Sequence, residues 1–436
     1  MRTRCEGVSH KDASACGDRL HAQRSDPKAD AFQDVSEQRG KRVRRSWGIY
    51  IDLPVADLSG SGELHIVFSA SLRITETLDM SMFRNTLAVV ASMAVLAGPA
   101  FGAYKGEYKL SVVPGASSGW GQSAAYFADQ VKARTEGRVN IKVYYGAQLM
   151  AGKQTSELLL VRSGAIDFAL ASTINWSPQI KELNLTALPF FIANNPDRYK
   201  AMDAIEAGKS GAMIVKTIES KGVKFIGWGE NGFRELTTSK GPINKPDDMR
   251  GMKLRVCGTP IFQDIFTALG SNPQAINWSE AVTGFQQGIV DGQENPTNGI
   301  NIPLKVWTWH KYSTDWHYMI DPLFFSANRK VWNEFSERDK KIIEECAKDA
   351  EKYSKALSRV GLDDGSALKY LESIGKVPAV TDPYAEQAKH GMTVTRFTPE
   401  QVKVFYDATK SVRAKWTKNI GPALVKAAEA DMAAAR

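Results

Sequence analysis

The stretch FQQGIVDGQENPTNG, Phe285 to Gly299, packs two carboxylates, several glycines and an Asn-Pro step into fifteen residues. Asp291 and Glu294 invite two chemistries, a general acid/base pair or oxygen ligands for a calcium ion. A calcium loop needs further oxygen ligands at alternating positions, and Gly292, Gln293 and Pro296 do not supply them. A rigid loop that presents side-chain hydrogen bonds accounts for the stretch better. Gly288 ends a helix, Gly292 permits an unusual φ, and Pro296 holds Asn295 extended. The amide of Asn295 then becomes the informative group, with Asp291 and Glu294 satisfying loop backbone.

Other catalytic patterns are absent. There is no GxSxG elbow, no GxxxxGKS phosphate loop and no HExxH. GWGENG, Gly227 to Gly232, fits the letters of a dinucleotide fingerprint, but a loop rather than a helix is predicted after it. The cysteines Cys5, Cys16, Cys257 and Cys346 form no CxxC, and the six histidines are scattered, so no metal site and no cofactor are implied. Two arginines say more. Arg255 closes the predicted strand MKLRV just before the loop CGTP, where open α/β sheets place ligand-binding groups. A guanidinium there can hold a carboxylate through two parallel hydrogen bonds, or serve as a surface arginine paired with an acid. Arg234, beside ENGF, is a similar candidate.

The elements that must position these residues alternate. YKLSVV, VNIKVYY and AIDFALAS read as strands, with helices over GWGQSAAYFADQVKART and KQTSELLLVRSG between them. A helix pair comes next in DRYKAMDAIEAGKSGAMIVKTIESKG, then the strand VKFIGWG. After Trp228 the segment ENGFRELTTSKGPINKPDDMRG, rich in turn formers, is expected to cross into a second lobe. There the rhythm restarts: MKLRV strand, PIFQDIFTALG helix, PQAIN strand, SEAVTGFQQG helix. A long charged helix opens at a Ser336 cap, and two more helices come after Thr398-Pro399. The expected fold class is α/β, two lobes with a hinge, a cleft, and a long helix spanning both. Lobe I is assigned to 104–228 and lobe II to 229–319. Residues 320–360 return to lobe I with the spanning helix, and 361–436 are C-terminal helices packing on lobe II and the hinge.

Met80 to Tyr104, MSMFRNTLAVVASMAVLAGPAFGAY, has a polar head with Arg84, an apolar run from Leu87 to Leu96 and small residues at Ala100 and Gly102. This is the layout of a secretory signal peptide over 80–103, which implies a periplasmic chain. Residues 1–79 are therefore read as a mis-assigned or disordered N-terminal extension, with Met80 or Met82 as the start. The net charge of +8 over 436 residues is dispersed among acids rather than gathered in a stripe, which argues against nucleic acid and suits a receptor for small anions.

GMKLRVCGTPIFQDIFTALGSNPQAINWSEAVTGFQQGIVDGQENP, Gly251 to Pro296, resembles the signature region of solute-binding proteins of tripartite ATP-independent periplasmic (TRAP) transporters. The likeness runs from about 107 to 430, through SGAIDFAL, LPFF and GENGFRELTTSKGPINKPDDMRGMKLRV to FTPEQVKVFYDATKSV. The resemblance implies two lobes closing over a small organic anion, delivery to membrane permease subunits, and no enzyme activity. A monomer is expected. It further implies that Arg255 holds the ligand carboxylate, aided by Arg234, and that Asn295 adds a hydrogen bond. Trp278 takes the place of an aromatic wall residue. First-lobe contacts are expected from Ser172 and Thr173, with Trp176 nearby, and from the loop Ala116 to Trp120. Trp120, Trp176, Trp228 and Trp278 would give the cleft an apolar wall, or belong to the core. Cys257 and Gly258 depart from the proline and small residue of many members. Members that bind sialic-acid-like sugars place an acid near Ser172; with none nearby in sequence, a polyol-rich sugar acid is disfavoured. Two rival readings are a periplasmic enzyme with Asp291 or Glu294 as base, and a ligand-loaded partner of a signalling receptor.

Overall fold

The computed structural model describes residues 104–435; the expected signal segment and the 1–79 extension lie outside the described residues. In the first half, β1 (Tyr108–Ser111), β2 (Ile141–Tyr144) and β3 (Phe168–Ser172) alternate with helices α1 (Gly119–Arg134) and α2 (Glu157–Ser163). β1 pairs in parallel with both β2 and β3. The continuous FALAS run of β3 is buried at every position, as a strand covered on both faces requires. A short turn of helix α3 (Thr173–Trp176) comes next, then α4 (Arg198–Ala207) and α5 (Lys209–Glu219).

β4 (Val223–Thr238) corrects the sequence reading, which ended the strand at Gly229 and placed a turn-rich crossing after Trp228. The strand continues because both of its halves are paired. Residues 223–233 pair with β9 (Ile320–Asn328), and residues 234–238 with β7 (Gly292–Pro296) and β8 (Tyr312–Asp315). Its polar residues thereby find partners inside the protein rather than in water. Two bulges interrupt the β4–β9 register, at Phe225/Gly227 and Glu230/Gly232, so that Asn231 is the extra residue of the second.

The second half holds β5 (Lys253–Val256), α6 (Pro260–Ala268), β6 (Asn272–Ala275) and α7 (Trp278–Gln286). Strand order is β2-β1-β3-β9-β4-β7-β5-β6, with β8 set against β4 and β10 (Thr393–Arg396) against β8. Two α/β lobes result, joined through β4 and β9. The VDGQENP segment is a second correction: it is a buried strand, β7, between β4 and β5, not a loop. Gly292 keeps ordinary strand geometry, and glycine is needed for space. A Cβ there would come within 2.5 Å of the Thr237 carbonyl oxygen.

After α8 (Arg329–Glu334), helix α9 (Glu337–Arg359) is capped by Ser336, whose hydroxyl accepts from the Asp339 N–H at 3.1 Å. Its buried residues Ile343, Cys346, Ala347, Ala350, Ser354 and Leu357 recur at helical spacing and face α1, β4 and the turn Thr297–Asn301. The helix thus touches both lobes. Helices α10 (Ser366–Ser373), α11 (Pro383–Lys389), α12 (Pro399–Ala408), α13 (Lys410–Ile420) and α14 (Pro422–Ala434) complete the chain. The last of these departs from the expected packing on the second lobe, since α14 lies on α4 and α5. Asp431 explains the choice: its carboxylate accepts from the N–H groups of Lys209 at 3.1 Å and Ser210 at 2.8 Å, capping the otherwise uncapped start of α5. α13 reaches the second lobe instead, where Lys415 and Trp416 each hold Asp264 at 2.7 Å. Cys257 and Cys346 are both buried and free.

Candidate functional site

Strand ends and a bulge converge on a cavity of about 30 Å³ between the lobes. At roughly 15 Å³ per molecule that is room for about two waters, so the cleft is nearly shut. Direct bonds also join the two lobes. The Trp278 N–H donates to Gln154 Oε1 at 2.8 Å, and the Ser177 and Thr259 hydroxyls meet at 2.9 Å, each linking one lobe to the other.

Arg255, Arg234, Asn295, Trp278, Ser172 and Trp120 all line this cavity. Arg255 stands on β5, level with Gln293 of β7, and is 1% exposed. Its Nε donates to the Ile276 carbonyl at 3.0 Å, its guanidinium lies 5.4 Å from the Trp278 ring centre, and its Nη2 has no hydrogen-bond partner. No carboxylate among the described residues pairs with it. A buried cation left in that condition is costly unless an anion joins it.

Arg234 is differently placed, and the expectation that it supplies a second charge contact needs revision. Its Nε and Nη2 are held by the Glu294 carboxylate, Nη2 also donates to the Glu294 carbonyl at 2.7 Å, and Nη1 reaches Asp321 at 3.2 Å. Burial disfavours its charge, but Glu294 and Asp321 more than offset this and raise its pKa well above the usual value. Glu294 also accepts from the Tyr318 hydroxyl at 2.6 Å. It is one side of a buried ion pair. Asp291 accepts from the Lys253 N–H at 2.9 Å. Neither acid lines the cavity, which removes the geometry that a base acting there would need.

Three expected residues lie elsewhere. Trp176 is fully buried in the core, where its indole N–H donates to Glu157 at 3.0 Å and its ring meets Phe324 edge-on. Thr173 and Trp228 line a separate cavity of about 10 Å³ together with Glu206. Ser172 turns the other way, donating to Asp321 Oδ1 at 2.7 Å and capping α3 through the Ile174 N–H at 3.1 Å. An acid therefore does stand beside Ser172. It comes from β9, 149 residues away, where adjacent sequence could not reveal it.

Asn231, Asp321, Gln154 and Asn175 also line the cavity and were not foreseen. The bulge at Asn231 aims its side chain so that Nδ2 donates to Asp321 Oδ2 at 2.9 Å, while its Oδ1 is buried without a donor. Burial raises the Asp321 pKa, opposed by Arg234 and by the hydrogen bonds from Asn231 and Ser172. Gln154 Nε2 donates to Asn175 Oδ1 at 2.7 Å. An Asn in a GEN sequence and an Asp preceding Pro322 carry no motif by themselves; strand pairing is what joins them.

One group among the described residues has the composition of a metal site. Ligand atoms of Glu235, Asp315 and His317 lie within 4.8 Å of one another. Internal bonds account for it: His317 Nδ1 is 2.6 Å from Asp315, and Glu235 accepts from the Trp316 and His317 N–H groups at 2.7 and 3.1 Å. Burial lowers the His317 pKa, but the two acids outweigh it and raise it overall. Burial pushes Glu235 up to about 7.

Residues 110–375 match the family model described as bacterial extracellular solute-binding protein, family 7. A solute-binding protein of Chromohalobacter salexigens is 31% identical over 284 residues, covering 64% of this chain and 81% of its own. A TRAP periplasmic solute-binding protein of Ralstonia eutropha H16, solved with bound (S)-2-hydroxy-2-methyl-3-oxobutanoate, superposes with a TM-score of 0.70. It is 44% identical and covers 76% of this chain and 99% of that one. A second, from Sulfurospirillum deleyianum with bound succinate, has a TM-score of 0.63 and 25% identity over 74% of this chain and 98% of that one. The chain thus belongs to the family 7 bacterial extracellular solute-binding proteins, the receptors of TRAP transporters.

Proposed function

We propose that the protein is an extracytoplasmic receptor that closes over a small organic acid, holds its carboxylate on Arg255, and delivers it to the membrane permease subunits of a TRAP-type transporter. The observation that carries the reading is the buried guanidinium of Arg255, with its orphan Nη2 in the wall of a cavity between two lobes. A ligand carboxylate supplies both the missing counter-charge and the missing acceptor. Trp278 covers the guanidinium from one side and Trp120 adds an apolar wall, its indole N–H fixed on the Leu170 carbonyl at 2.7 Å. Asn295 and Ser172 line the same wall, with Asn295 Nδ2 held on Gln293 Oε1 and Ser172 Oγ on Asp321. A compact acid is in keeping with those bound by the Ralstonia and Sulfurospirillum proteins. Export through the signal segment at 80–103 and action as a monomer belong to the same reading. The absence of Asp291 and Glu294 from the cavity wall weighs against the reading in which either of them acts as a base there.

Titration calorimetry over monocarboxylates, dicarboxylates and hydroxy acids tests the reading. Recovery of intact ligand from a saturable site is expected. Failure of every carboxylate to bind the native protein, or turnover of one that does, would sink it.

A further inference from the structure

We propose that Asn231 and Asp321 make the receptor select organic acids that carry a hydroxyl group in addition to one carboxylate, over unsubstituted acids and over dicarboxylates of the same chain length. The inference rests on the assignment of Arg255 as the receptor's carboxylate clamp, and adds a second recognition element to it.

The first argument is hydrogen-bond satisfaction. Two cavity-lining side chains hold buried polar atoms without partners: Arg255 Nη2 and Asn231 Oδ1. One is a cationic donor and answers to a carboxylate. The other is a neutral acceptor on a residue 1% exposed, and only a group that brings a hydrogen can satisfy it. The amide cannot be turned to present its NH₂ instead, because Nδ2 is fixed on Asp321 Oδ2 and a reversed amide would set oxygen against carboxylate. Asp321 itself receives three donors, from Ser172, Asn231 and Arg234, so both of its oxygens already act as acceptors. At this end of the cavity the donors of Arg234, Ser172 and Asn231 are spent on Asp321 and Glu294, and Asn231 Oδ1 is left as an unpaired acceptor.

The second argument is charge. Around Asp321 the single positive charge of Arg234 faces two carboxylates, Asp321 and Glu294, leaving an excess of one negative charge. Arg255 is the cavity's one unpaired cation among the described residues, and a single carboxylate neutralises it. A second carboxylate on the ligand would meet the negative end in a low-dielectric site, whereas a hydroxyl meets it as a neutral donor. Several lining donors are already committed: Trp120 Nε1 to Leu170, Ser172 Oγ to Asp321, and Gln154 Nε2 to Asn175. A site built to accept from a hydroxyl discriminates strongly against the analogue lacking it, because its own buried groups are then left unpaired.

The test is calorimetric binding of 2- and 3-hydroxybutanoate, butanoate and succinate, all of four carbons, to the native protein. One of the hydroxy acids is expected to bind at least about tenfold more tightly than butanoate and than succinate. Equal affinity for butanoate and both hydroxy acids, or succinate as the tightest ligand, overturns the inference and leaves the carboxylate clamp standing. Binding by none of the four overturns both. In Asp321→Asn, which leaves Arg234 paired with Glu294, the ratio of succinate to hydroxy-acid affinity should rise at least about tenfold. A gain for succinate is a result a misfolded chain cannot give. An unchanged ratio in a folded D321N overturns the assignment to Asp321.

Discussion

Arg234 and Arg255 flank the same strand, β7, one on each side, and solvent reaches neither. Their surroundings differ completely. Arg234 has a carboxylate on two of its nitrogens and a second acid within 3.2 Å, so the lobe's own strands complete it. Arg255 has one carbonyl and an aromatic face, and lacks an anion. The first cation is part of the folded architecture. The second lacks the counter-charge that, in the proposed reading, a ligand carboxylate supplies. Burial alone does not tell a structural charge from a recognition charge; the state of its partners does.

The contrast breaks most sharply if Arg234→Met is tolerated. That substitution leaves Glu294 and Asp321 buried without their counter-charge, and about 3–5 kcal/mol of stability should be lost in urea unfolding. Arg255→Met should do the reverse. Ligand affinity falls by at least about 2 kcal/mol in calorimetry, while the ligand-free protein unfolds no earlier than wild type. If the two variants lose stability alike, the distinction fails. Gly299→Ala sharpens the picture from the turn that packs against Asn231. A Cβ there would stand 2.4 Å from both the Asn231 backbone oxygen and Oδ1, so a loss of about 1–3 kcal/mol is expected. Ligand binding should weaken with it as Asn231 shifts.

A smaller effect is pH-dependent. The folded pKa of His317 lies above its ordinary value because Glu235 and Asp315 surround it, with Arg396 and Tyr384 on the far side of Asp315. A raised histidine pKa contributes stability that is full below about 6.5 and is lost as pH rises through the folded value. Glu235, pushed up to about 7 by burial, has the same sign, its loss falling between about pH 4.5 and 7. Unfolding midpoints should therefore fall as pH rises above about 6.5, and His317→Gln should flatten the fall. A midpoint that rises over that range would contradict the cluster's assignment.

The sequence carried Arg255 well, because a strand end leading into a loop is a local pattern and its place on β5 needs only that pattern. It carried the helix caps at Ser336 and Thr398 for the same reason. Asn231 and Asp321 were invisible because they meet only through the β4–β9 pairing, 90 residues apart, and through a bulge that no local signal announces. Trp176 and Thr173 failed in the opposite way. They sit beside Ser172 in sequence, but the chain turns into α3 directly after Ser172, and the turn sends Trp176 to the core and Thr173 to a different cavity while Ile174 and Asn175 line the site. The turn-rich look of ENGFRELTT misled because its polar residues are satisfied by β7, β9 and each other, a fact of tertiary pairing.

The continuity of β4 bears on how the molecule comes apart. A two-lobed chain invites the expectation of two melting steps, one per lobe. Here a single strand contributes ladder bonds to both sheets, β9 leaves one lobe to pair along most of it, and α9 lies across the join. Neither lobe can lose its order without stripping hydrogen bonds from the other. Calorimetry should accordingly record one endotherm whose van't Hoff and measured enthalpies agree. Cargo release then combines the parting of the interlobe bonds at Trp278–Gln154 and Ser177–Thr259 with bending within a shared ribbon.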